Sequence, residues 1–168
     1  LQLSSLTQTS PEARGIVALS VLLLLTALGF KVGLFPFHWW LPSVYGRGDG
    51  RTISFVASVI KLSFIAVLAR VFVVSSFGSP LANDVALTLA ILSVATMTYA
   101  NVAALTTRDL QVILAYSSMA QVGYIMAALA AAAYFAGRAN YDMVRLALYA
   151  VAIQSIGYAL AQAPLFAF

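Results

Sequence analysis

Residues 110–136 read LQVILAYSSMAQVGYIMAALAAAAYFA, a stretch without one Asp, Glu, Lys or Arg. As a helix rising 1.5 Å per residue, it is long enough to cross a hydrocarbon core of about 30 Å. Four comparable runs lie on either side of it. Residues 16–35 carry only Lys31, near their end, and residues 53–74 hold Lys61 inside and Arg70 close to the end. Residues 85–106 are uncharged, and residues 143–167 have Arg145 at their start. Ten-residue segments of alternating polarity are missing, which excludes a β-barrel. The sequence predicts an all-α integral membrane bundle of five transmembrane helices over residues 16–168. Before it, residues 1–15 are polar and are expected to form a surface strap.

Composition agrees. Of 168 residues, 62% are hydrophobic and 8% charged, where a soluble domain carries roughly a quarter charged residues. A water-soluble enzyme, a disordered chain and a disulfide scaffold are excluded. The net charge of +4 comes from residues scattered between the apolar runs, a pattern that fits lipid headgroups and not nucleic acid. There is no Cys and one His, so iron–sulfur ligation and a pair of haem histidines are unavailable. No redox centre and no metal site are expected in this chain. Basic residues divide almost evenly between the two membrane faces, so the positive-inside rule selects no orientation.

Lys31 and Lys61 are the sharpest chemical signal. A lysine at the bilayer centre costs about 2.5–3.5 kcal/mol on insertion scales, so it is compensated or useful. Burial can bring such a lysine into the working range of a proton carrier. Lys61 shares a stripe with Ser54 and Ser58, whereas Lys31 stands beside a helix-breaking stretch, Gly33 to Pro36. Two readings stand for Lys31: a proton site, or a stem that snorkels to the headgroups. None of the five spans contains Asp or Glu. The anion a buried ammonium calls for is therefore expected from another chain or from a part of the protein outside this sequence.

The segment Phe35-Pro36-Phe37-His38-Trp39-Trp40-Leu41-Pro42 holds the only His. Pro36 removes a ladder donor, so the first helix should break near Gly33–Pro36. Broken helices recur at ion sites in transporters, and tryptophans also mark the headgroup zone. His38 is thus either a proton relay or a hydrogen-bonded interface residue. Polar groups inside the later spans are candidates for a water path or for interhelical bonds: Tyr116, Ser117, Ser118 and Gln121, and the Gln154, Tyr158, Gln162 face. The alanine tract 127–133 predicts close helix packing.

Three motifs in order carry a family resemblance. Lys31 through Pro36-Phe37-His38-Trp39-Trp40-Leu41-Pro42 to Tyr45 resembles the lysine-then-PFH-x-W-x-P-D-x-Y signature of the antiporter-like membrane subunits of respiratory complex I. Ser54 to Lys61, followed by Arg70, is similar to that family's next lysine-bearing helix. Leu114-Ala115-Tyr116-Ser117-Ser118 through Gly123-Tyr124 is similar to its L-A-Y-S-S helix. The five spans resemble the seventh to eleventh helices of the subunit 2 branch. Ser43 replaces the signature's Asp, Gln111 and Val112 its basic pair, and Gln121 a frequent His.

The resemblance implies a proton-translocating, non-redox subunit of NADH:quinone oxidoreductase, one piece of a split subunit. Its alternatives are part of a cation/proton antiporter complex and a structural remnant kept for assembly. It implies proton-translocation roles for Lys31, Lys61 and His38. A hydrogen-bond path would run by Ser58, Tyr116, Ser117 and Gln121, with the helix break at Gly33 and Pro36. Lys31 would pair with a carboxylate from a helix outside this sequence. FMN, iron–sulfur clusters and quinone would belong to other subunits, and the partners would be other complex I membrane subunits and lipids. Location would be the mitochondrial inner membrane, with a bacterial plasma membrane as the alternative.

Overall fold

The computed structural model describes residues 11–73, 76, 77, 79 and 81–167. The described residues are helical, with turns and short loops between the helices. In chain order they are α1 (Pro11–Val32), α2 (Trp40–Tyr45), α3 (Gly50–Val73), α4 (Ala82–Thr106), α5 (Leu110–Gly137) and α6 (Tyr141–Ala167). The last four are long and apolar enough to cross a bilayer, and the apolar part of α1, Ala18–Val32, is shorter. The chain is a helical membrane bundle.

Helix ends follow local chemistry and correct several expected boundaries. Residues 11–15 of the expected strap are already helical, as part of α1. Residues 1–10 of the expected strap, residue 74 of the expected second span and residue 168 lie outside the described residues. Asp49 caps α3 through the Thr52 N–H, which brings Gly50 and Arg51 into the helix. Asp109 caps α5 by accepting from the N–H groups of Gln111 (2.9 Å) and Val112 (3.4 Å). Tyr141 and Asp142 already belong to α6.

The break in the first span falls where expected, but glycine causes it. α1 ends at Val32, four residues before Pro36. Gly33 has φ +83°, a left-handed conformation that favours glycine. Its N–H reaches the Phe30 carbonyl (3.3 Å) while the Leu34 N–H reaches that of Gly29 (2.8 Å), the bond pair of a Schellman cap. Leu34 is buried in the core behind it. The Trp40 indole N–H adds a 2.9 Å bond to the Phe30 carbonyl, and the Phe35 N–H is taken by Thr96 Oγ1 of α4 at 3.2 Å. A β-carbon on Gly33 would lie 2.9 Å from Leu41 Cδ1. Gly33→Ala is therefore expected to lower stability by about 1–2 kcal/mol, read as a fall in Tm of the detergent-solubilised protein.

Packing produces two apolar clusters. The larger joins α1, α3, α4, α5 and α6 through residues such as Leu28, Ile65, Leu89, Ile125 and Val151. Ala130, Ala132 and Ala133 of the alanine tract are buried in it, where small side chains let helices approach closely. The smaller lies beneath α2 and includes Leu41, Tyr45, Ile53, Met119 and Phe166. Along α3, Ala57 belongs to the smaller cluster and Ile65 to the larger. Lys61, midway between them on the same face, occupies the seam.

Candidate functional site

The site is built on a distortion of α3. Residues Val56–Ile60 form a π turn, and Lys61 follows it directly, its N–H reaching back to the carbonyl of Val56. A π turn widens the helix and gathers at functional positions. Here it presents the Ala57 carbonyl to α6, and the Tyr158 hydroxyl donates to it at 2.9 Å.

Lys61 is 2% exposed. Its Nζ donates to Ser118 Oγ of α5 at 2.5 Å, and Ser118 Oγ lies 2.8 Å from the Tyr158 hydroxyl. The ammonium also sits 5.5 Å from the Tyr45 ring centre and 5.9 Å from that of Tyr158, within reach of cation–π attraction. Four elements (α2, α3, α5 and α6) thus converge on one amine. Among the described residues no carboxylate faces it. Asp49 and Asp109 cap helices, and Asp84 and Asp142 occupy first turns. A hydroxyl and two π faces solvate this lysine.

Lys31 is placed differently. It is exposed in the last turn of α1, where a cation suits the negative end of the helix dipole. His38, 6% exposed, lies in the turn between α1 and α2, against the rings of Phe35 (5.6 Å) and Tyr99 (4.2 Å). Its Nδ1 is buried without a protein partner. Burial lowers its pKa below the ordinary 6.5, so it is neutral at pH 7. The unfolded chain then binds the extra proton first, and stability falls as pH drops below about 6.5. Wild-type Tm is expected to decline between pH 7 and 5.5 more steeply than that of His38→Phe.

The other expected path residues separate. Ser58 is buried but donates to the Ser54 carbonyl at 2.6 Å, so it serves its own helix and not Lys61. Ser54 in turn donates to the Ala163 carbonyl of α6 at 2.6 Å. Gln121 accepts from Gln154 Nε2 at 2.5 Å, a bond between α5 and α6. Tyr116 is half-buried near Tyr99, with ring centres 6.4 Å apart, and Ser117 is half-buried outside the Lys61 cluster. Ser118, Tyr158 and Tyr45 take the places beside Lys61. Their sequence signal was the polar patch, the α6 face and the signature's tyrosine, with nothing to single out the inward members. Tyr45 is 1% exposed and its hydroxyl has no protein partner.

The family model described as NADH:quinone oxidoreductase/Mrp antiporter, transmembrane, matches residues 1–167. The chain belongs to this family. Among relatives, NADH-quinone oxidoreductase subunit N 2 of Solidesulfovibrio magneticus is 40% identical over 116 residues, covering 69% of this chain and 24% of the relative. Subunit N of Helicobacter hepaticus is 40% identical over 121 residues, 72% of this chain and 24% of the relative. Subunit N 2 of Opitutus terrae is 38% identical over 142 residues, 79% and 29%. The chain spans about a quarter of the length of these curated relatives. In this member of the NADH:quinone oxidoreductase/Mrp antiporter family, Lys61 is a buried lysine on a distorted, apolar helix.

Proposed function

We propose that this chain supplies the lysine-bearing portion of a proton-translocating membrane subunit of NADH:quinone oxidoreductase. The observation that carries the reading is Lys61, buried mid-helix, hydrogen-bonded to a hydroxyl and unpaired with any described carboxylate. An ammonium so held costs free energy and is retained for use. Lys61 accepts and releases a proton within the bundle. Lys31, at the broken end of α1, meets a carboxylate brought by another part of the assembly, and His38 lies between α1 and α2 as a neutral relay. Close charges interact strongly where the dielectric is low, so moving that carboxylate changes the proton affinity of the lysines.

In this proposal the chain holds no redox group. FMN, iron–sulfur clusters and quinone belong to partner subunits, and the neighbours are other membrane subunits and lipid. The relatives named above are bacterial, and a bacterial plasma membrane is the location we propose ahead of the mitochondrial inner membrane. A cation/proton antiporter complex is the second reading, favoured by the family's description, which covers both assemblies.

The test is proton translocation per NADH oxidised in sealed membrane vesicles carrying the assembled complex. Lys31→Ala is expected to lower the proton-to-electron ratio with NADH oxidation and assembly intact. An unchanged ratio in assembled Lys31→Ala and Lys61→Ala complexes would overturn the proposal. Purification without flavin and iron–sulfur subunits would favour the antiporter.

A further inference from the structure

The hydrogen bonds that hold Lys61 have a fixed direction, and the direction limits what they can do. A carbonyl only accepts, so the Tyr158 hydroxyl must spend its single proton on the Ala57 carbonyl. Tyr158 Oη, lacking a second proton, can only accept from Ser118. Ser118 has then used its own proton and turns lone pairs toward Lys61, whose Nζ donates to it. The sequence of donors runs Lys61, Ser118, Tyr158, Ala57 carbonyl. It ends on a peptide oxygen inside the π turn, a group that passes no proton onward.

From this we infer that Tyr158 is a positioning residue for Lys61, acting through Ser118, and that the Ser118–Tyr158 chain is an anchor and not a proton path. The inference rests on the proposed role of Lys61 and deepens it. Tyr158 fixes the rotor of the Ser118 hydroxyl, so an acceptor faces the amine whether it carries two protons or three. One N–H of Lys61 is held in place while its remaining donors stay available on the side away from Ser118. Burial supports the rigidity: Ser118 is fully buried and Tyr158 is 3% exposed. Without the tyrosine hydroxyl, the Ser118 proton is free to turn toward the amine, and the acceptor is lost for part of the time.

The experiment compares four variants in the assembled complex, reading proton translocation per NADH oxidised together with Tm. Lys61→Ala sets the size of the Lys61-dependent share. Tyr158→Phe and Ser118→Ala are each expected to lower that share by about three- to tenfold, the worth of one hydrogen bond in a dry site. Ser118→Thr keeps the hydroxyl and is expected to restore it. A Tyr158→Phe complex with lower Tm but a wild-type proton ratio would overturn the inference and leave Tyr158 a packing residue. A loss in Tyr158→Phe as complete as in Lys61→Ala would overturn it in the other direction and make the chain a path. Where Tyr158→Phe fails to assemble, Ser118→Ala against Ser118→Thr decides by the same readings. A wild-type ratio in Lys61→Ala would instead sink the underlying role of Lys61, a result distinct from all of these.

Discussion

Lys61→Met is expected to abolish the Lys61-dependent proton translocation and, at the same time, to stabilise the protein by about 1–3 kcal/mol. The ammonium is desolvated at the seam of two apolar clusters, and no described carboxylate repays that cost. Methionine has a similar length and flexibility and fills irregular gaps. Nothing else is orphaned by the change, because Ser118 still donates to Tyr158 and Tyr158 to Ala57. For a chain of this size the gain corresponds to a rise in Tm of roughly 2–4 °C per kcal/mol. Thermal unfolding in detergent alongside proton pumping in vesicles reads both halves. A fall in Tm would mean that Ser118 and the two tyrosine rings outweigh the desolvation of the lysine.

The second large effect concerns the contact between α3 and α6 that frames the site. A β-carbon on Gly50 would run into the backbone carbonyl oxygen of Phe166, which cannot swing aside as a side chain can. Gly50→Ala is expected to push the end of α6 away from α3 and to cost about 1–3 kcal/mol, a typical overpacking penalty. The Ser54–Ala163 bond should be the first to go. Tm in detergent is the measurement, with Arg51→Ala, at an exposed position, as a neutral control. A rise in Tm would show that the two helices do not meet at Gly50.

The membrane helices were legible because hydropathy is a local property: runs such as 85–106 and 110–136 declare themselves without any partner. Their facing was not legible, for the same reason. A helix that is apolar nearly all round has no stripe to say which side is inward. Of Ser117 and Ser118, adjacent and identical, only the second meets Lys61, and only packing distinguishes them. Ser58 looked like part of the lysine's polar face, yet its hydroxyl bonds its own backbone, a standing option for serine inside a helix. The first helix was expected to stop because of Pro36. The stop comes earlier, since Gly33 can take a left-handed conformation and Pro36 then sits in the turn beyond it. The π turn before Lys61 leaves no compositional mark in VASVI. What the residues did announce was the lysine itself, through the absence of any acid in the spans.

The joint after α1 has a mechanical meaning as well. Lys31 rides on the final turn of α1, and the carbonyl of the preceding residue, Phe30, is gripped by the Trp40 indole at the head of α2. The other end of α2 carries Tyr45, whose ring lies against the Lys61 ammonium. A short six-residue rod therefore links the two lysines. The turn that leads into it is pinned to α4 through the Phe35–Thr96 bond. If a carboxylate meets Lys31 as proposed, its pull acts as torque on this rod, with the tyrosine at its tip.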